Sequence, residues 1–335
     1  MAVFDGLCPA VTESLMSKGA LALLITGGTE NWAPGRWRER FTRVCPERAV
    51  ALIPDDAIDP ASVRYAAVWK PQPGALRGFP KLEVIFNLGA GVDAVVADAT
   101  LPDVPLVRVA VDDLTKRMTE YVVMHVLMHH RRQGYYGESQ RKRVWAPKLQ
   151  WAARDLRVGI MGLGVLGRDA AEVLARIGFD VAGWSNTPKS IPGIRCHAGA
   201  QLGDFLARTD VLVCLLPLTP QTRGILNRTT FGKLARDGRL GGPVVINAGR
   251  GGLQVEDDIL SALDDGTLLA ATLDVFGTEP LPADSPFWSH PNVTLSPHNA
   301  ADTDPDAISV YVAEQIAAFE RGEKLVNVVD RGVGY

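Results

Sequence analysis

Residues 162–167 read Gly162-Leu163-Gly164-Val165-Leu166-Gly167, a GxGxxG run. The chemistry of such a run is phosphate binding. The first glycine permits a tight turn, the second lets backbone approach a pyrophosphate, and the third lets the following helix lie close on the preceding strand. That helix then offers its amino terminus, with its unpaired amides and partial positive charge, to the phosphates. A mostly apolar stretch over 156–161 precedes the run at strand length, and a helical stretch over 169–177 follows it. This context separates it from a plain glycine turn. Roughly 20 residues further on, an NAD site places an Asp or Glu to grip the ribose hydroxyls. Here the chain reads Trp184-Ser185-Asn186-Thr187-Pro188-Lys189, without an acid. Lys189 and the small polar Ser185 and Asn186 suit a 2′-phosphate, so NADP (as NADPH) is the expected cofactor and NAD the second choice. A solvated loop lysine is the plainer alternative for Lys189.

The elements that must position this turn follow a repeating pattern. From residue 156 onward, strand, turn and helix alternate, with strands expected at 156–161, 180–184, 211–216, 244–247, 269–275 and 293–295. Six strands with helical crossovers is the count of a doubly wound dinucleotide-binding domain. Upstream, strands are expected at 21–26, 66–69, 82–87 and 105–109, enough for a smaller parallel sheet. One helix is read over 118–131, and His129 and His130 next to Arg131 and Arg132 suit the negative end of its dipole. Residues 131–154 hold Tyr, Trp, Arg and Lys without periodicity. They read either as a solvated connector or as an arm that meets a second subunit. After Ser296 a last helix is expected, capped by Asp304, opened by Pro305 and striped by Ile308, Val312, Ile316 and Phe319. Coming after the cofactor strands, it is expected to return to the first domain. The expected division is a discontinuous domain of residues 1–117 and 300–335 around a dinucleotide domain of residues 118–299.

Composition narrows the function. The 335 residues are 47% hydrophobic and 22% charged, with a formal net charge of −3. That balance argues against nucleic acid and against a membrane surface, both of which need a basic excess. The four cysteines, Cys8, Cys45, Cys196 and Cys214, form no CxxC pair, so no metal knuckle is expected and a reducing, cytoplasmic setting fits. Asp5 and Glu13 interrupt the first stretch, so no targeting signal is expected there.

The chain resembles the D-2-hydroxyacid dehydrogenase family. The residues that carry the resemblance are 87–93 (NLGAGVD), 118–121 (MTEY), the glycine turn, 216–220 (LPLTP), 246–251 (INAGRG), 273–276 (LDVF), 279–282 (EPLP) and 296–298 (SPH). Residues 184–189, 217–227 and 330–335 look like the glyoxylate/hydroxypyruvate reductase A branch. The resemblance implies two doubly wound parallel-sheet domains, a Rossmann-type cofactor domain inserted into a smaller flavodoxin-like substrate domain. It also implies a catalytic trio of Arg250, Glu279 and His298. The chemistry agrees. Reducing a 2-keto acid needs a proton donor for the forming alkoxide, which suits His298. A carboxylate orients that imidazole and favours its protonated form, which suits Glu279. A guanidinium holds the substrate carboxylate and polarises the carbonyl, which suits Arg250.

The resemblance further implies cofactor contacts from Leu216, Pro217, Thr222, Ala248, Gly249, Arg250 and His298. Asp274 would accept from the nicotinamide carboxamide, or else be a buried acid with a structural partner. Backbone amides of the turn Leu88, Gly89, Ala90 and Gly91 would take the substrate carboxylate. Trp69 would wall the pocket, or serve as core. The implied substrate is a small anionic 2-keto acid such as glyoxylate or hydroxypyruvate, the product an (R)-2-hydroxy acid, and the assembly a homodimer through the cofactor domain and the 131–154 arm. The alternatives are an NADH-linked dehydrogenase of another D-2-hydroxy acid and a dinucleotide-sensing corepressor. A phosphoglycerate dehydrogenase is expected to fit less well, since no room for a regulatory domain is read after Tyr335.

Overall fold

A computed structural model describes residues 18–28 and 30–332. Within it the chain divides into two compact units. One holds the residues up to Leu114 together with those from Thr303, and the other is Thr115–Asp302.

The smaller unit is built on five parallel strands: β1 (Ala20–Ile25), β2 (Val50–Leu52), β3 (Val63–Trp69), β4 (Val84–Asn87) and β5 (Leu106–Arg108). Their order, β2-β1-β3-β4-β5, is that of a flavodoxin-like sheet. β1 is buried at every position, as a strand covered on both faces must be. The helix Pro34–Val44 lays Trp37 and Phe41, one turn apart, on one face of this sheet. The helix Pro305–Glu320 covers the same face with Ile308, Val312 and Ile316. It begins as its sequence requires: the Asp304 carboxylate accepts from the Asp306 amide at 3.0 Å, and Pro305 occupies the first turn. Its far end is tied down by Arg48, which is 4% exposed and reaches the Glu320 carboxylate at 3.1 and 3.2 Å. The Tyr65 hydroxyl donates to the same carboxylate at 3.2 Å.

The larger unit holds seven parallel strands: β6 (Arg157–Met161), β7 (Asp180–Ser185), β8 (Arg195–Ala198), β9 (Val211–Cys214), β10 (Val244–Asn247), β11 (Ala270–Leu273) and β12 (Val293–Leu295). The order is β12-β11-β10-β9-β6-β7-β8, a Rossmann order extended by one strand. It reverses between β6 and β9, and the glycine turn follows β6. That gap is the switch point at which doubly wound sheets bind ligands.

Several expectations change. β2 and β8 were not read from the sequence; both are edge strands, and β8 (RCHA) has no buried residue. The helix read as starting at 118 starts at Asp112, where Asp112 and Asp113 supply acid to the first turn. The helix after the glycine turn begins at Val165, directly behind Gly164. Residues 133–142 are helical, although no stripe announces it: the segment has no buried residue. The units part at Leu114/Thr115 and Asp302/Thr303, a few residues outside the expected limits at both ends; the first break falls inside a continuous helix. Residues 1–17, with Cys8 and the first-stretch acids, lie outside the described residues, as do residues 333–335 of the terminal motif.

Candidate active site

Every expected cofactor and catalytic residue of the larger unit lies at or beyond the carboxyl end of a strand. β6 leads to the glycine turn, β7 to Ser185, Asn186 and Lys189, and β9 to Leu216, Pro217 and Thr222. β10 leads to Ala248, Gly249 and Arg250, β11 to Asp274 and Glu279, and β12 to His298.

The three glycines of the turn are glycines for three different reasons. Gly162 has φ +111°, open to glycine at little cost. A Cβ on Gly167 would stand 1.8 Å from the Gly162 carbonyl oxygen, so helix and turn touch there. A Cβ on Gly164 would meet nothing within 4 Å. No packing demand explains that glycine; the open space above it, at the head of the helix Val165–Ile177, fits a pyrophosphate. Leu163 is buried, and its side chain sits where a Cβ on Gly183 would be. Val165 is exposed at the helix start, and Leu166 packs against the core.

At the end of β7 the Ser185 hydroxyl donates to the Thr187 carbonyl at 2.8 Å, closing the loop from inside. Asn186 and Lys189 are exposed on that loop. Beyond β9, Thr222 Oγ1 donates to the Pro217 carbonyl at 2.7 Å and accepts from the Thr219 amide at 2.8 Å. This folds residues 216–222 into a compact turn. A Cβ on Gly249 would stand 2.9 Å from the Leu216 carbonyl, so the loops after β9 and β10 touch; Leu216 and Ala248 are both buried.

The loop carrying Arg250 is held from beneath by two residues that the sequence reading passed over. Asn247 is fully buried; its amide nitrogen donates to the Arg250 carbonyl at 3.2 Å and to Gln254 Oε1 at 2.8 Å, while its oxygen accepts from the Gly249 amide at 3.1 Å. Gln254 in turn donates to the Val275 carbonyl at 3.0 Å. A Cβ on Gly251 would stand 1.9 Å from the Phe276 carbonyl, so the Arg250 loop lies directly on the loop that runs to Glu279. Arg250 Nη1 donates to the Gly249 carbonyl at 2.7 Å.

Glu279 and His298 meet. Glu279 Oε1 accepts from the Phe276 amide at 3.1 Å, and Oε2 lies 2.7 Å from His298 Nδ1. An ionised carboxylate can only accept, so Nδ1 carries the hydrogen and Nε2 is the nitrogen that remains for chemistry. The imidazole is 40% exposed, as a group that must reach a substrate has to be.

Asp274 is 1% exposed. Its Oδ1 accepts from Ser296 Oγ at 2.6 Å and from the Asn299 amide at 3.0 Å, and its Oδ2 from the Ala300 amide at 3.1 Å. Burial pushes its carboxyl above the ordinary value, against these hydrogen bonds. The residue thus has structural partners of its own.

In the smaller unit, Asn87 closes the expected carboxylate turn by donating to the Gly89 and Gly91 carbonyls at 2.6 and 3.0 Å. The Leu88 amide is spent on the Val68 carbonyl at 3.0 Å, and Leu88 is fully buried, so it anchors the turn. Ala90 is half-buried at the tip. Trp69 is only half-buried; its ring lies where a Cβ on Gly89 would be and packs on Trp32 with centroids 5.0 Å apart.

The histidines of the long helix differ from expectation. Desolvation pulls the His129 imidazole down to about 4, with its Nε2 2.9 Å from the Thr272 hydroxyl, and it lowers His130 as well. Both are held towards the neutral form, which weakens them as cations for the dipole.

Comparison with known proteins agrees with this geometry. Residues 123–300 match the family model for the NAD binding domain of D-isomer specific 2-hydroxyacid dehydrogenases. The glyoxylate/hydroxypyruvate reductase A of Serratia proteamaculans (strain 568) is 44% identical over 278 residues, 81% of this chain and 87% of the relative. An NADPH-dependent glyoxylate/hydroxypyruvate reductase of Sinorhizobium meliloti, solved with NADP and sulfate, is 46% identical with a TM-score of 0.89, covering 95% of this chain and 100% of that one. A probable 2-hydroxyacid dehydrogenase of Rhizobium etli CFN 42, solved with NADP, HEPES and L(+)-tartaric acid, is 45% identical with a TM-score of 0.89, covering 94% and 99%. With the site's residues and these matches together, the chain belongs to the D-isomer specific 2-hydroxyacid dehydrogenase family.

Proposed function

We propose that this protein reduces small 2-keto acids, with glyoxylate and hydroxypyruvate as the first candidates, to (R)-2-hydroxy acids using NADPH. The observation that carries the reading is the 2.7 Å pair of Glu279 and His298 at the carboxyl edge of a dinucleotide sheet, with the Glu279 loop touching the one bearing Arg250. NADPH, when bound, supplies the hydride. The open face over Gly164 takes the pyrophosphate, and exposed Asn186 and Lys189, which stand where an acid would favour NAD, take the 2′-phosphate. Arg250 binds the substrate carboxylate and draws charge onto the carbonyl oxygen. His298 Nε2 donates the proton to that oxygen as the alkoxide forms, with Glu279 holding the ring by Nδ1. The turn of Leu88, Gly89, Ala90 and Gly91 assists with the carboxylate through its amides, Leu88 as its anchor, and Trp69 limits substrate size. The relatives named for this activity, and those solved with NADP, support the reading.

We further propose a homodimer in a reducing cytoplasm. Trp145 is 97% exposed on the 131–154 arm, with Val144 and Leu149 also exposed, and Cys45, Cys196 and Cys214 are free thiols. Sedimentation as a monomer at micromolar concentration would count against the dimer.

The decisive experiment is a matrix of small 2-keto acids against NADPH and NADH, followed at the nicotinamide absorbance. Turnover of glyoxylate with NADPH above NADH is expected. Equal efficiency with NADH sinks the cofactor assignment, and binding without turnover turns the protein into a dinucleotide sensor. In the same assay His298→Ala should lose about 10³-fold in turnover with NADPH binding kept. Near-normal activity would remove His298 from the mechanism.

A further inference from the structure

His298 sits in an uncommon backbone conformation, with φ +54°. A residue with a Cβ held there costs of order 1–2 kcal/mol, so the surroundings must impose it. One residue supplies most of that grip. The Asp274 carbonyl accepts from the His298 amide at 2.8 Å. The Asp274 carboxylate meanwhile holds Ser296 before the corner and the amides of Asn299 and Ala300 after it. The corner is bracketed on both sides from a single buried carboxylate.

That bracket continues outward. The Tyr121 hydroxyl lies 2.8 Å from Ser296 Oγ. Serine has one hydroxyl hydrogen, and Ser296 gives it to Asp274. Tyr121 must therefore be the donor in its bond to Ser296. The result is a directed chain, Tyr121 to Ser296 to Asp274, in which each bond strengthens the next. Tyr121 itself has little freedom: it is 8% exposed, with the His125 ring against it at 4.3 Å between centroids.

We propose that Tyr121 and Ser296 are positioning residues for the reaction, and that their two hydroxyls fix the angle of the Pro297–His298 corner and so the aim of Nε2. The inference rests on the reading of His298 as proton donor. It gives the helix Asp112–His130 a part in the chemistry through Tyr121, whose hydroxyl acts by way of Ser296 and Asp274.

The test is a set of variants in the full-length enzyme. Ser296→Ala should lower kcat about 10- to 100-fold, the size of a misaimed reacting group, with the KM for NADPH within about twofold of the parent. Ser296→Thr, which keeps the hydroxyl, should recover most of the loss. Tyr121→Phe, which keeps the buried ring, should lower kcat about fivefold in the same pattern. It carries the test if Ser296→Ala does not fold. In a His298→Ala background, at enzyme concentrations that resolve the residual rate, Ser296→Ala should change turnover by less than about twofold, because the group it positions has gone. A parental kcat in Ser296→Ala or Tyr121→Phe overturns the proposal. So does an equal loss with and without His298, and so does a raised KM for NADPH with kcat kept, which assigns the pair to cofactor binding. A near-normal rate in the single variant His298→Ala overturns the proton-donor reading instead, so the two failures are distinguishable.

Discussion

Asp210 and Asp274 are both buried acids of one sheet, 2% and 1% exposed, at opposite ends of two parallel strands that flank β10. Asp210 stands just before β9, at the amino edge. It accepts from the Arg157 amide at 2.9 Å and from the Arg157 guanidinium at 3.1 and 2.7 Å, and that guanidinium also reaches Asp237. The Asp210 bond holds Arg157 above its ordinary value. Asp274 stands just after β11, at the carboxyl edge, and its bonds come from a hydroxyl and two amides. The first acid has a full opposite charge beside it. The second is hydrogen-bonded only to dipoles, with His298 acting on it more weakly, and burial pushes it up. A buried charge with a partner secures structure; one held by dipoles alone is tolerated where something else is gained. In this sheet that place is the ligand edge.

Two substitutions put the contrast at risk. Asp210→Ala should cost about 3 kcal/mol in urea unfolding, the low end for breaking a buried pair, because the Arg157 side chain is 25% exposed and keeps Asp237. Turnover per folded molecule should hold. Asp274→Asn should do the opposite: kcat about 10²-fold lower, from a shifted His298, for about 1 kcal/mol of stability. If both variants lose stability alike and keep their rate, the two ends do not differ in kind.

The glycine turn gives a smaller version of the same division. Gly167→Ala forces a methyl group onto the Gly162 carbonyl and should destabilise by about 2 kcal/mol. Gly164→Ala points into open space and should leave thermal unfolding unchanged while weakening NADPH binding, read by titration of cofactor fluorescence. Unchanged NADPH affinity would mean that the open face is not the phosphate site.

The smallest effect concerns a half-buried group away from the ligand edge. His129 is near 4 in the folded protein and 6.5 in the unfolded chain, so the unfolded chain takes up the proton first as pH falls. Stability is therefore full above 6.5 and declines between 6.5 and 4. The decline amounts to about 1 kcal/mol by pH 5.5, at roughly 1.4 kcal/mol per pKa unit. His129→Gln should make this limb shallower without touching kcat, leaving the share of His125, His130 and His197, which burial also lowers. Parallel pH–stability curves for parent and variant would show that another group titrates there.

The parts of the site legible in the sequence were those in which chemistry and neighbours along the chain coincide. The glycine turn announces itself because strand, turn and helix are contiguous, and Arg250, Glu279 and His298 each sit inside a short recognisable run. Asn247, Gln254 and Tyr121 were missed as supports because what matters about them is burial beside a distant carbonyl or hydroxyl, which no local pattern encodes. β2 and β8 were missed because an edge strand needs apolar residues on few positions, and Arg195–Ala198 has none that is fully buried. The helix Asp112–His130 was read late because its first six residues are polar except for Leu114, and its sustained apolar stripe follows from Met118.

The return of the chain to its first unit has a consequence for the order of assembly. Residues 115–302 are contiguous, and all seven strands of their sheet have been made once Leu295 is synthesised. The five strands of the smaller unit are made far earlier, yet the core on one face of their sheet includes Ile308, Val312 and Ile316, and the buried Arg48 has its partner in Glu320. On the ribosome the first sheet emerges without its last wall, while the later, uninterrupted unit is free to close as it is made. The half that starts first finishes last.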